Sequence, residues 1–186
     1  MSSINLCIEV TKELGRTLEQ INPKPPEKLI DLILGSKRIF VAGAGRSGLM
    51  MKAFAMRLMH MGFEAFVVGE TTTPGIEKDD ILIIGSGSGE TGSLACMAKK
   101  AKTLNANLGL ITIFPESTIG RLSDVVVRIP APTPKASIDN GMKSIQPMGN
   151  LFEQSLLLFL DCSVISLMEK QGKDAVAMFT RHANLE

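Results

Sequence analysis

At 186 residues the chain fits the roughly 100–200 residues of one compact domain, enough to bury a sizeable core. An apolar share of 45% and a charged share of 21% are those of a folded globular protein. A net charge of +1, with no Trp or Tyr, argues against the basic, aromatic surface of a nucleic-acid binder. The first 15 residues lack a basic region ahead of an apolar one, and no apolar run approaches about 18 residues, so neither a secretory leader nor a membrane partner is expected. Cys7, Cys96 and Cys162 are odd in number and far apart, which predicts buried, reduced thiols in a cytoplasmic protein.

Leu6, Val10, Leu14 and Leu18 recur at helical spacing and predict a helix over residues 3–21. The prolines of residues 22–26 break it, and a short helix resumes over 27–34. These form an N-terminal helical extension of about residues 1–36. Short β-prone runs follow at 38–42, 65–68, 81–84, 108–113 and 125–129, with helices at 47–61 and 91–104. Residues 130–146, with three prolines, read as a long ordered loop or lid. C-terminal helices over 147–168 and 174–182 complete a single domain spanning 1–186.

Strand alternating with helix predicts an α/β fold, a three-layer α/β/α sandwich on a five-stranded parallel sheet. The flavodoxin-like order 2-1-3-4-5 is expected, and it puts a ligand crevice beyond the carboxyl ends of strands one and three. Two Gly/Ser turns fall there: Gly43-Ala44-Gly45-Arg46-Ser47-Gly48 and Gly85-Ser86-Gly87-Ser88-Gly89-Glu90-Thr91. Each opens a helix, whose unpaired N–H groups and partial positive charge suit an anion. The hydroxyls of Ser47, Ser86, Ser88 and Thr91 add donors for a phosphate monoester. Ordinary turn and capping roles explain either loop taken alone. Gly43, Gly45 and Gly48 also spell the dinucleotide fingerprint, with Glu70 past strand two as a ribose-binding carboxylate. That fingerprint leaves the second Gly/Ser turn without a role.

The two turns resemble the paired signatures of SIS (sugar isomerase) domains. Phe54-Ala55-Met56-Arg57-Leu58-Met59-His60, Gly69-Glu70-Thr71-Thr72-Thr73-Pro74, Pro147-Met148-Gly149 with Phe152-Glu153, and Arg181-His182-Ala183-Asn184-Leu185 resemble 6-phospho-3-hexuloisomerases in particular. The resemblance implies conversion of 3-hexulose 6-phosphate to fructose 6-phosphate, in the ribulose monophosphate route of formaldehyde fixation. It also implies a homo-oligomer, a tetramer, with shared active sites near subunit boundaries. Arabinose 5-phosphate isomerase, or a sugar-phosphate- or nucleotide-binding regulatory domain without turnover, are the alternatives.

Moving a carbonyl from C3 to C2 through an enediol needs a proton taken from C2 and one delivered to C3. A single carboxylate suffices, with no cofactor and no metal. Glu153 lies near the start of the last long helix among Leu151, Phe152, Leu156 and Leu157. A helix-terminal acid stabilised by the dipole explains it without any chemistry. The match of Phe152-Glu153 to the family pattern makes it the expected base. The same resemblance makes His182 an acid/base partner, reaching a neighbour's crevice from the C-terminal tail. His60 is expected roughly 20 Å down its helix from the phosphate end, as a packed or solvent-facing side chain. The expected substrate-binding residues are Gly45, Arg46, Ser47, Ser86, Gly87, Ser88, Gly89, Glu90 and Thr91. Arg46 and Glu90 are open between contacting sugar hydroxyls or phosphate and pairing with each other or with a neighbouring subunit.

Overall fold

A computed structural model describes residues 2–133 and 144–185. The strands are β1 (Ile39–Gly43), β2 (Ala65–Val67), β3 (Ile81–Gly85), β4 (Asn107–Thr112) and β5 (Val125–Arg128). All pairs are parallel, in the order β2-β1-β3-β4-β5. Successive side chains of a strand point to opposite faces, and both faces here are covered. Ile39, Val41, Ile81 and Ile83 enter one core, while Phe40, Ala42, Leu82 and Ile84 enter the other. This is why the strands read as unbroken apolar runs.

The first core lies under α1 (Ser3–Glu19), α2 (Lys24–Gly35), α3 (Gly45–His60) and α6 (Asn150–Gln171). The second lies under α4 (Gly92–Thr103) and α5 (Thr118–Leu122). A short α7 (Ala175–Phe179) follows α6. By length and composition alone α6 could cross a membrane, but here it packs against α1, α2 and α3.

Four details depart from the sequence expectation. Helix α2 starts at Lys24 and takes Pro25 and Pro26 into its first turn, where a missing N–H breaks no helical bond. Helix α5 was not expected; its five residues are too few to show a period, and it is fixed by the Ser117 cap on the Gly120 N–H. Helix α6 begins three residues late, because Met148 adopts φ +57 and cannot be helical. Cys7, Cys96 and Cys162 are exposed, not buried: each sits on the outward side of its helix, as Cys96 does opposite Leu94, Ala98 and Ala101. Most of the expected 130–146 loop, residues 134–143, lies outside the described residues.

Candidate active site

The β1–β3 register pairs Gly43 with Gly85, so both Gly/Ser turns leave the sheet side by side. Gly45 opens α3 at φ +56, a conformation that glycine adopts without strain. A Cβ on Gly48 would lie 2.7 Å from the Gly43 carbonyl oxygen, so these two glycines let α3 pack directly on the end of β1. Three fingerprint glycines are thus accounted for by turn and packing geometry. Glu70 accepts from Lys52 Nζ at 2.6 Å in an exposed ion pair.

Between the turns and the start of α6 lies a cavity of about 340 Å³. Gly45, Ser47, Ser86, Gly87, Ser88 and Thr91 form one side of it, with Met148, Gly149, Phe152 and Glu153 opposite. Neither α3 nor α4 has a side-chain cap at its N-terminus. The first three N–H groups of each helix, Gly45–Ser47 and Gly92–Leu94, have no partner among the described residues, and neither do the N–H groups of Gly87 and Ser88. The hydroxyls of Ser47, only 8% exposed, and Thr91 also have none. Ser86 and Ser88 act within the turn itself, where their hydroxyls accept from the Gly89 and Glu90 N–H groups and hold its shape. The result is a concave array of donors at two helix N-termini, suited to a phosphoryl dianion.

Glu153 stands in the first turn of α6, its side chain 17% exposed. Its Oε2 accepts from Arg46 Nε at 2.5 Å. Its Oε1 has no donor among the described residues, and it lies close to Gly149, where an added Cβ would be 3.4 Å away. Arg46 pairs with an acid from the opposite wall and not with Glu90, whose carboxylate is taken by the Thr118 N–H.

Arg46 does not line the cavity itself and meets it only through its bond to Glu153, and three further expected site residues are not brought to it at all. Glu90 is turned away: its carboxylate accepts from the Thr118 N–H at 2.7 Å, and that bond, helped by Arg121, holds its pKa below the ordinary value. Gly89, at φ +63, packs against Ser117, and its carbonyl accepts from the Ile119 N–H. Both residues fasten the second turn to α5. His182 stacks on His60 with ring centroids 5.5 Å apart, at the far end of α3. Within one chain it is therefore remote from Glu153. His60 is buried at 5% exposure, and desolvation, with help from Arg57 and His182, lowers its pKa. Among the described residues no group of three His, Cys, Asp or Glu side chains has the arrangement of a metal site.

The profile of the SIS domain matches residues 32–158, and the chain belongs to the SIS domain family. A Bacillus subtilis (strain 168) protein named 3-hexulose-6-phosphate isomerase is 52% identical over 186 residues, 100% of both chains. A Methanocaldococcus jannaschii protein of the same name is 42% identical over 86% of this chain and 83% of its own. A solved structure of a Methanococcus jannaschii protein, for which that molecular function is inferred, superposes with a TM-score of 0.85. It is 36% identical and covers 98% of this chain and 99% of its own.

Proposed function

We propose that this chain isomerises 3-hexulose 6-phosphate to fructose 6-phosphate through a 2,3-enediol. The observation that carries the reading is Glu153: a carboxylate with one unbonded oxygen faces a two-helix phosphate cradle across a cavity of about 340 Å³. The phosphate on C6 is held by the first-turn N–H groups of α3 and α4, the Gly87 and Ser88 amides, and the Ser47 and Thr91 hydroxyls. The sugar then runs toward α6. Glu153 removes the C2 proton as the C3 carbonyl takes on negative charge; the O2 hydroxyl proton passes to O3, and Glu153 returns its proton to C3 as the C2 carbonyl forms. Arg46, beside the same carboxylate, offers its guanidinium to the enediolate oxygens.

The full assignment adds a homotetramer with shared sites, a cytoplasmic location and a place in formaldehyde fixation. Two features support an oligomer. His182 can act in a crevice only from a neighbouring copy, given its position in its own chain. The adjoining helices α3 and α6 also expose Met56, Met59, Leu158 and Ile165. Three exposed, unbridged cysteines suit a reducing compartment.

The test is direct. Purified protein is incubated with 3-hexulose 6-phosphate and fructose 6-phosphate is measured, with Glu153→Gln as control. Formation of product that the substitution abolishes is expected. No product sinks the assignment, and undiminished product from the variant removes Glu153 as the base.

A further inference from the structure

Helix α1 lies outside the residues matched by the SIS profile, yet it places one acid against the approach to the cavity. Glu13 is 7% exposed, and among the described residues every hydrogen bond to its carboxylate comes from residues 144–146. Oε1 accepts from the Ile145 N–H at 2.8 Å. Oε2 accepts from Ser144 Oγ at 2.7 Å and from Gln146 Nε2 at 3.0 Å. Ser144 Oγ in turn accepts from the Gln146 N–H. Burial pushes the Glu13 carboxyl up, but these three bonds and the nearby Arg16 together bring it below its ordinary value. It is therefore ionised at neutral pH.

The anchored residues run directly into the cavity wall. Pro147 accepts from the Asn150 N–H, and Gly149 accepts from the Glu153 N–H. Between them Met148 holds φ +57, which costs a non-glycine residue about 1–3 kcal/mol and persists only where its surroundings impose it. Met148, Gly149 and Glu153 all line the cavity. On one side α6 fixes this turn; on the other only residues 144–146 lead into it.

We infer that Glu13 is a positioning residue, whose carboxylate fixes residues 144–146 and through them the Met148–Gly149 turn and the placement of Glu153. The inference rests on Glu153 being the base of the proposed isomerase. A misplacement of about 1 Å can slow a reaction about a hundredfold. The phosphate cradle belongs to β1, β3 and their helices, so it is independent of this clasp.

Glu13→Ala and Glu13→Gln separate positioning from plain stability. The new amide of Glu13→Gln still accepts from the Ile145 N–H. It also donates to Ser144 Oγ and, once the Gln146 side chain turns over, to Gln146 Oε1, a buried atom with no partner among the described residues. For Glu13→Ala, kcat is expected to fall about 10–100-fold. KM and inhibition by inorganic phosphate stay near wild type, and amide exchange at residues 150–155 rises while β3 is unchanged. Glu13→Gln restores both. An unchanged kcat in Glu13→Ala, a rise in exchange equally large in β3, or a Glu13→Gln no better than Glu13→Ala overturns the inference. If Glu13→Ala does not fold, Ser144→Ala, which removes one bond to Glu13 and the bond from the Gln146 N–H, is read in the same way. If the wild type does not turn over the sugar, the isomerase reading falls, and local exchange alone decides the clasp: a rise confined to 150–155 keeps it, and no rise ends it.

Discussion

Arg46 and Glu153, 107 positions apart in sequence, form an ion pair across the mouth of the cavity, Nε to Oε2, at 2.5 Å. The arginine comes from the first turn of α3 and the acid from the first turn of α6. Neither can move without changing the charge that the other faces. With the Arg46 side chain 54% exposed, the pair is worth little to folding, of order 0–1 kcal/mol. Its value lies in placing one cation and one base at the same reacting carbons.

Two substitutions divide those roles. Glu153→Gln keeps the shape and removes the base, so kcat is expected to fall about 10²–10⁴-fold with KM little changed. Arg46→Ala lowers kcat/KM while thermal unfolding shifts by no more than about 1 kcal/mol equivalent. Steady-state kinetics and a melting curve on each variant check both. A large loss of stability in Arg46→Ala would make the pair structural.

Thr91 is the N-cap of α4, but its side chain makes no capping bond. Replacing a bonded cap by Ala costs about 1 kcal/mol, so Thr91→Ala is expected to cost clearly less. The same hydroxyl, and that of Ser47, are assigned to the phosphate. Hydrogen bonds to a charged group are worth about 1.5–3 kcal/mol, which predicts a rise of about tenfold or more in KM for Thr91→Ala and Ser47→Ala. Weaker inhibition by inorganic phosphate should accompany it. A destabilised Thr91→Ala with unchanged KM would return the hydroxyl to a capping role.

The phosphate cradle was legible in sequence because its signals are local. Glycines, hydroxyls and a helix start follow one another within seven residues of each strand end. The far wall was not. Glu13 meets its partners more than 130 positions away, and Arg46 finds Glu153 across most of the chain. Proximity in sequence also misled. Glu90 adjoins the second Gly/Ser turn, yet its carboxylate is used by the Thr118 N–H, 28 positions on. The five strands were found almost to the residue, since runs such as Ile81–Gly85 are apolar on both faces and bounded by Asp80 and a Gly/Ser turn. Helix α5 carried no comparable signal.

Gly48 brings the start of α3 into direct backbone contact with the end of β1. An added Cβ would stand 2.7 Å from the Gly43 carbonyl oxygen, with only backbone there to yield. Gly48→Ala should therefore push the start of α3 away from β1. The expected result is a loss of about 1–3 kcal/mol of stability together with weaker phosphate binding. Gly92→Ala is the control: it lies at the start of the other cradle helix and has nothing within 4 Å of its added Cβ. Equal behaviour of the two variants in unfolding and phosphate titrations would remove close packing as the reason for Gly48.

Asp80 ties the starts of β1 and β3 together and should dominate the acid limb of stability. Its residue is 0% exposed, and it accepts from Arg38 Nε at 3.1 Å, Arg38 Nη2 at 2.7 Å and the Glu77 N–H at 2.7 Å. Burial pushes the carboxyl up, but the Arg38 guanidinium and the backbone donors outweigh it and hold the pKa below its ordinary value. With the folded value below the unfolded one, the stabilisation is complete above the unfolded value and is lost as pH falls through the folded one. Asp80→Asn leaves the partly buried Arg38 with only the exposed Glu77 as an ion-pair partner, so a loss of about 1–3 kcal/mol is expected at pH 7. The gap to wild type should narrow as pH falls below the ordinary carboxylate range, where Asp80 itself takes up a proton. Glu13 and Glu90 titrate in both proteins and cancel from the difference. Urea unfolding across that range reads the gap directly, and two curves that stay parallel down to acid pH would show that Asp80 is not the linked group.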